Sequence, residues 1–265
     1  MYSSFQLAKK YFHYRLTAAS SKGHGIHSPF VFDFIQFILN DKKKYPCYQQ
    51  IENIRKQLLT NKNEIDVEDF GAGSAFIKTN KRFINKMAAS SLKPKKYAQL
   101  LYRMVQYYQP KNIAELGTSF GITTAYLASG NSTSHVYTLE GAATIAAIAQ
   151  QNFRQQNLKN ISLLQGSFEK TLPLLFAKIN TVDFVFIDGN HRKDPTLAYF
   201  AQFLNISTAT TILIFDDIHW SKEMEAAWEQ IKAHEAVTLT IDLFFIGIVF
   251  FKKEFKVKQH FSIRF

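Results

Sequence analysis

The chain has 265 residues, 46 % hydrophobic and 20 % charged, with 32 Lys and Arg against 21 Asp and Glu and a formal net charge of +11. Its 25 Phe and 12 Tyr supply enough apolar surface for a sizeable core, which excludes a disordered or fibrous chain and fits one large domain or a domain with an extension. The single cysteine, Cys47, excludes a disulfide framework and any multi-cysteine metal centre, so metal chemistry would have to use oxygen or imidazole ligands. No signal-peptide core is visible at the start and no run of apolar residues is long enough to span a bilayer, so a cytoplasmic protein is expected.

In chain order, apolar and aromatic residues at helical spacing predict a helix over residues 4–19. The segment "SKGHGIHSPF" breaks it with two glycines and a proline, and carries His24 and His27. That pair is either a half-built metal site or lid, or simply a hydrogen-bonded turn. A helix from Pro29 to about Asn40 and another over 49–59 follow, then a polar stretch over 61–74, a basic helical stretch to about Ser90, and a helix from Pro94 to about Tyr108. Residues 1–100 hold 17 basic and 7 acidic residues, against 15 and 14 in the remainder. A basic region of this kind attracts nucleic acid, anionic lipid or a phosphorylated substrate, or merely solvates the surface.

After Pro110 the texture changes. Strand-like runs at 112–116, 135–140, 161–165, 182–188 and 211–217 alternate with helical segments near 122–129, 142–157, 168–178, 194–205 and 221–234. Such alternation specifies a parallel sheet covered by helices on both faces. "VTLTIDLFF" and "GIVFFK" leave no room for a crossover helix, so they must form an antiparallel hairpin. The expected fold is therefore α/β: a doubly wound, mostly parallel seven-stranded sheet with a C-terminal antiparallel hairpin, plus an N-terminal helical extension. The expected division is a basic, mainly helical region over 1–93 and a sheet domain over 94–265.

"ELGTSFG" (115–121) joins the first of these strands to a helix, with Gly117 and Gly121 free to turn tightly and bring backbone N–H groups to a ligand. Its spacing fits neither a dinucleotide fingerprint nor a phosphate-binding loop of the Gly-Lys-Ser/Thr type. Glu140 ends the second strand, followed by Gly141, and an acid there can accept hydrogen bonds from both hydroxyls of a ribose. A second glycine-bearing stretch, "EDFGAGS" (68–74), lacks a hydrophobic strand before it and is read as a turn or surface segment.

Together these motifs resemble a class I S-adenosylmethionine-dependent methyltransferase, over roughly 95–265. The texture is most similar to the catechol/caffeoyl-CoA O-methyltransferase type, through "ELGTSFGITTAYLA", "FVFIDGNHRK" and "LIFDDIHW". The resemblance implies a Rossmann-like fold, with Glu115, Gly117, Thr118, Ser119 and Gly121 around the methionine part of the cofactor. It also implies Glu140 and Gly141 at the ribose, Ser167 and Phe168 by the adenine, and a small hydroxylated acceptor. An RNA methyltransferase using the basic N-terminal region and a non-catalytic Rossmann-like binding protein are the alternatives, and a homodimer stays open.

Asp188, Asp216 and Asp217 end neighbouring strands, so their carboxylates converge where ligands bind. Convergent carboxylates repel unless a cation joins them, and oxygen ligands suit Mg²⁺, Mn²⁺ or Ca²⁺. In the resembling enzymes the matching positions hold a divalent cation such as Mg²⁺, although Asp217 stands where Asn is usual. The other reading has Asp188 touching cofactor only and Asp217 capping the next helix. His191 replaces the family's catalytic Lys and could take the acceptor's proton as a base, or lie on a surface loop. Arg192 and Lys193 beside it suit an anionic acceptor or plain solvation, and His219 and Trp220 a pocket wall or packing.

Overall fold

The computed structural model describes residues 1–69 and 78–265. An N-terminal helix α1 (Ser4–Thr17) is followed by a short helix α2 (Pro29–Asp33) that continues as a π-helical turn over Phe34–Leu39. Next come α3 (Pro46–Thr60), β1 (Glu64–Asp69), β2 (Lys78–Phe83), α4 (Ile84–Ser91) and α5 (Lys95–Tyr108). The alternating part runs β3 (Asn112–Leu116), α6 (Ile122–Gly130), β4 (His135–Glu140), α7 (Ala143–Gln155), β5 (Ile161–Gln165), α8 (Phe168–Phe176), β6 (Val182–Ile187), α9 (Lys193–Leu204), β7 (Ser207–Asp216) and α10 (Lys222–Ala233). Three short strands close the chain: β8 (Leu239–Asp242), β9 (Ile246–Phe250) and β10 (Gln259–Ser262).

The packing divides the chain into two compact units, Met1–Asp41 with Thr181–Phe265, and Lys42–Asn180. This is not the division at residue 93 that composition suggests. Residues 42–93 pack with the first βα units, whereas the first 41 pack with the C-terminal strands.

In the Lys42–Asn180 unit, β3, β4 and β5 run parallel in that order, with Leu116 opposite Leu139 and Glu140 opposite Gln165. Side chains from α3, α4, α5, α6 and the start of α7 form one core around Ile51, Ile54, Ala88, Ala98, Phe120 and Tyr126. β1 and β2 form an antiparallel hairpin in which Asp66 stands opposite Lys81. The sequence reading put a polar stretch where β1 lies and a basic helix where β2 lies. Opposite charges across the register favour the ladder, and the helix starts only at Ile84. Of the glycine-bearing stretch 68–74, residues 70–74 lie outside the described residues.

In the other unit, α9 carries the chain from β6 to a parallel β7, and β9 is antiparallel to both β7 and β8. The hairpin expected at the C-terminus is thus present, and β10 adds a strand parallel to β8 that the sequence reading lacks. β10 is short and half-exposed, with no apolar run to announce it. Helix α1 packs on the β8–β9 turn: Tyr11 and Tyr14 lie 5.0 and 5.3 Å from the Phe244 ring. The Tyr14 hydroxyl donates to the Ile263 carbonyl, and Ala19 N–H donates to Ser262 O at 2.8 Å. Apart from the β1–β2 hairpin and the antiparallel β9, the strands of each unit run parallel, as the α/β reading requires.

Gly121 opens α6 at φ +79°, a left-handed conformation, and a Cβ there would come 2.7 Å from Cζ of Phe153. Gly121→Ala should therefore lose about 2–4 kcal/mol of stability, from backbone strain plus overpacking. Urea unfolding will read this as a lower midpoint at constant m-value; an unchanged midpoint would show that the Phe153 ring yields freely.

Candidate functional site

The turns after β3, β4 and β5 are tied to one residue. Glu140 accepts from Ser119 N–H at 2.8 Å through Oε2 and from Ala142 N–H at 3.0 Å through Oε1, and its backbone carbonyl accepts from Gly166 N–H at 2.9 Å. Gly117 and Thr118 N–H both donate to the Leu139 carbonyl, at 3.1 and 3.2 Å, which curls the glycine loop back over β4. Gly117 (φ +99°), Ser119 (φ +49°) and Gly166 (φ +136°) take the left-handed conformations that such tight turns need. Ser167 and Phe168 then begin α8, both half-buried, beside the end of β5. Burial pushes the Glu140 carboxyl above the usual carboxylate range, and the N–H groups of Ala142, Ser119 and Gly141 offset this only in part. Gly117, Thr118, Ser119, Gly121, Glu140 and Gly141 thus lie together at the carboxyl ends of parallel strands.

Glu115 stands apart from them. Its side chain is fully buried at the end of β3, where its carboxylate accepts from the Thr124 hydroxyl and from Thr138 Oγ1 at 2.6 Å. The Thr118 hydroxyl joins this group, 2.6 Å from Thr138 Oγ1. Glu115 thereby braces the glycine loop against α6 and β4 from beneath. Nothing in the sequence singles out Thr124 or Thr138, since only the fold brings them to residue 115.

In the second unit, Asp188 follows β6 and Asp216 ends the neighbouring parallel β7, with Ile187 opposite Phe215 in register. Asn190 at φ +55° reverses the chain, so that His191 Nε2 comes 3.6 Å from Asp188 Oδ1. One donor atom each of Asp188, His191 and Asp216 lies within 4.8 Å of the others, a set able to hold a metal ion. Asp216 is 1 % exposed. Asp217 lies outside this trio: it is a turn residue at φ +54°, its N–H donating to Phe245 O at 2.6 Å and its carbonyl accepting from Trp220 N–H at 2.9 Å. Nor does it cap α10, a task taken by Ser221, whose hydroxyl accepts from Met224 N–H.

A cavity of about 640 Å³ lies beside the trio, lined among others by Tyr2, His191, Arg192, Trp220, Lys222 and Glu223. Trp220 is therefore a pocket wall. His219 is not; its Nε2 lies 2.8 Å from Asp242 Oδ2 and its Nδ1 3.1 Å from Glu225 Oε1. Burial works against a charge on this ring, but the bonds to Asp242 and Glu225 outweigh it and hold its pKa above the usual value. Glu225 also accepts from the Tyr2 hydroxyl at 2.6 Å and pairs with Lys10 at 2.9 Å. This network ties α1 to α10 and β8, and sequence spacing offers no hint of it. His24 and His27 are exposed, His24 in a turn and His27 in the stretch after it, and neither belongs to the Asp188, His191 and Asp216 group. Among the described residues, no helix is long and apolar enough to cross a membrane.

Residues 114–218 match the family model described as a methyltransferase domain. Over 137 residues the chain is 33 % identical to a catechol O-methyltransferase of Niastella koreensis, a match that covers 50 % of this chain and 60 % of that relative. Among solved structures, an O-methyltransferase from Bacillus cereus in complex with SAH superposes with a TM-score of 0.57 at 23 % identity, over 79 % of this chain and 92 % of that one. An SAH-bound methyltransferase from Podospora anserina superposes with a TM-score of 0.61 at 13 % identity, over 96 % and 98 % of the two chains. The fold is thus the Rossmann-like fold of those methyltransferases, and residues 114–218 are the part that matches the methyltransferase-domain model.

The buried Glu115 group yields a direct test. Thr138→Val keeps the side-chain shape while removing a donor from a buried carboxylate, and should cost about 1–3 kcal/mol in urea unfolding. A neutral substitution would mean that Thr124 alone satisfies the carboxylate.

Proposed function

We propose that the protein is an S-adenosylmethionine-dependent O-methyltransferase acting on a small hydroxylated molecule. The observation that carries this reading is the gathering of three strand-end turns on Glu140, within a segment that matches a methyltransferase domain. Glu140 has lone pairs left to accept from both ribose hydroxyls, Gly117 to Gly121 let the backbone approach the methionine part, and Ser167 and Phe168 border the adenine. The solved relatives that hold SAH and the catechol O-methyltransferase relative support the same cofactor and acceptor class.

Methyl transfer from a sulfonium is an in-line displacement: the acceptor oxygen forms the new C–O bond as the C–S bond breaks, and the hydroxyl proton must leave. Asp188, beside a cavity walled by Trp220 and Tyr2, is the residue on which handling of the hydroxyl depends. The donor set around it fits a divalent cation, which when bound lowers the pKa of a coordinated hydroxyl. A cytoplasmic setting belongs to the same proposal, since the free thiol of Cys47 asks for no oxidising compartment.

Calorimetry of S-adenosylmethionine binding tests the cofactor assignment. The wild type should bind, and Glu140→Ala should weaken binding by about 10–100-fold through loss of charge-assisted hydrogen bonds. No binding to the wild type would remove the methyltransferase reading. Only the ionised Glu140 accepts from both hydroxyls, and its pKa is raised, so wild-type affinity should fall on acidification. The fall should begin at a higher pH than an exposed glutamate would give, and should be missing in Glu140→Ala. Asp188→Ala should reduce methylation of phenolic acceptors by about 10²–10⁴-fold with cofactor affinity retained; near-normal turnover would remove Asp188 from the site.

A further inference from the structure

The geometry points to His191 as a metal ligand, completing with Asp188 and Asp216 a site that selects a first-row transition dication over Mg²⁺. This rests on the methyltransferase reading above only for the use of the metal, not for its binding. The sequence reading made His191 a base and looked to Asp217 for the third ligand. The structure supports a different arrangement. A histidine oriented as a base by Asp188 would donate to it at about 2.8 Å. The observed 3.6 Å is too long for that bond. It is the spacing of two donors that share a cation, because ligands each about 2.1 Å from one ion stand about 3–4 Å apart. Asp216 offers a donor atom within 4.8 Å of both.

Three features of the chain build this trio. The parallel pairing of β6 with β7 sets Asp188 and Asp216 side by side, and the left-handed Asn190 turns His191 back towards them. Asp217, by contrast, spends its backbone on Phe245 and Trp220 and stays outside the set. Two carboxylates and a neutral imidazole bring a charge of −2, which a dication balances. Oxygen-only sites suit Mg²⁺, whereas an imidazole nitrogen favours Co²⁺, Ni²⁺ or Zn²⁺. Of the three, His191 lines the 640 Å³ cavity.

The test uses chelator-treated full-length protein, titrated with Co²⁺ in the visible spectrum and with Zn²⁺ and Mg²⁺ by calorimetry. Wild type should bind Co²⁺ at a single site, with Mg²⁺ at least about tenfold weaker. His191→Ala should weaken Co²⁺ by about 10–100-fold and change its ligand-field bands, while Mg²⁺ affinity moves less than about threefold. Asp188→Asn should weaken both ions. Asp217→Asn, which keeps a residue tolerant of the left-handed turn, should leave Co²⁺ affinity within about threefold. The His191 side chain is 30 % exposed, so its replacement should fold, and a thermal melt checks this. Co²⁺ binding that survives His191→Ala unchanged, or that fails in Asp217→Asn, overturns the ligand set. A wild type that binds no dication overturns the site altogether. Calorimetry with S-adenosylmethionine on the same samples reports on the methyltransferase reading separately.

Discussion

A parallel strand cannot return to its neighbour without a crossover, so every strand in such a set delivers its carboxyl end to the same edge. Both compact units depend on that constraint. In one unit it stacks the ends of β3, β4 and β5, and Glu140 becomes the point where three turns are fastened. In the other it sets Asp188 beside Asp216 at the ends of β6 and β7. Loops on that edge are free to vary because the strands beneath carry the stability: Ile113, Leu116, Val136 and Leu139 are fully buried, as are Phe184, Val185 and Phe186.

Two glutamates at strand ends take opposite parts. Glu115 is fully buried, and an ionised carboxylate in that position is costly unless donors surround it; Thr124 and Thr138 provide them, and Thr118 extends the group into the glycine loop. Glu140 is half-buried and accepts backbone N–H groups from two different turns, with capacity left over. The first acid therefore fixes the loop from within, and the second fastens two turns while keeping lone pairs to spare. A loop held from below by side chains and from the side by backbone bonds is pre-organised, so a ligand would not have to bear the cost of ordering it.

The sequence made most of the sheet legible because its strands are short apolar runs, and Asn112–Leu116, His135–Glu140 and Ile161–Gln165 stand where they were expected. Glu140 was equally legible, since an acid closing the second strand has a fixed place once the strands are parallel. Other features were hidden for identifiable reasons. β2 carries Lys81 and Arg82 in a polar run and reads as a solvated helix until its antiparallel partner is known. β10 is too short and too exposed to signal itself. His191 was noticed for its position after Asp188, but its 3.6 Å approach depends on the left-handed Asn190, and backbone handedness at a non-glycine residue leaves little trace in composition.

The N-terminal helix shows how a contact between chain ends can govern a site near neither in sequence. Its basic residues suggested a solvated or partner-binding arm, yet Lys10 and the Tyr2 hydroxyl both reach Glu225. That carboxylate also meets His219, which in turn meets Asp242 at the end of β8. Tyr2 N–H donates to the Trp220 carbonyl at 3.0 Å, and Tyr2 and Trp220 both line the same cavity as His191. The wall of that cavity is thus assembled from the first residues of the chain and from the turn that follows Asp216. Its shape depends on the Glu225 network and on the packing of Tyr11 and Tyr14 against Phe244. A half-buried ion-pair network contributes less net stability than an apolar contact of the same size, but it does so directionally. The aromatic contacts hold α1 down, while the hydrogen bonds fix where along the turn Tyr2 is set.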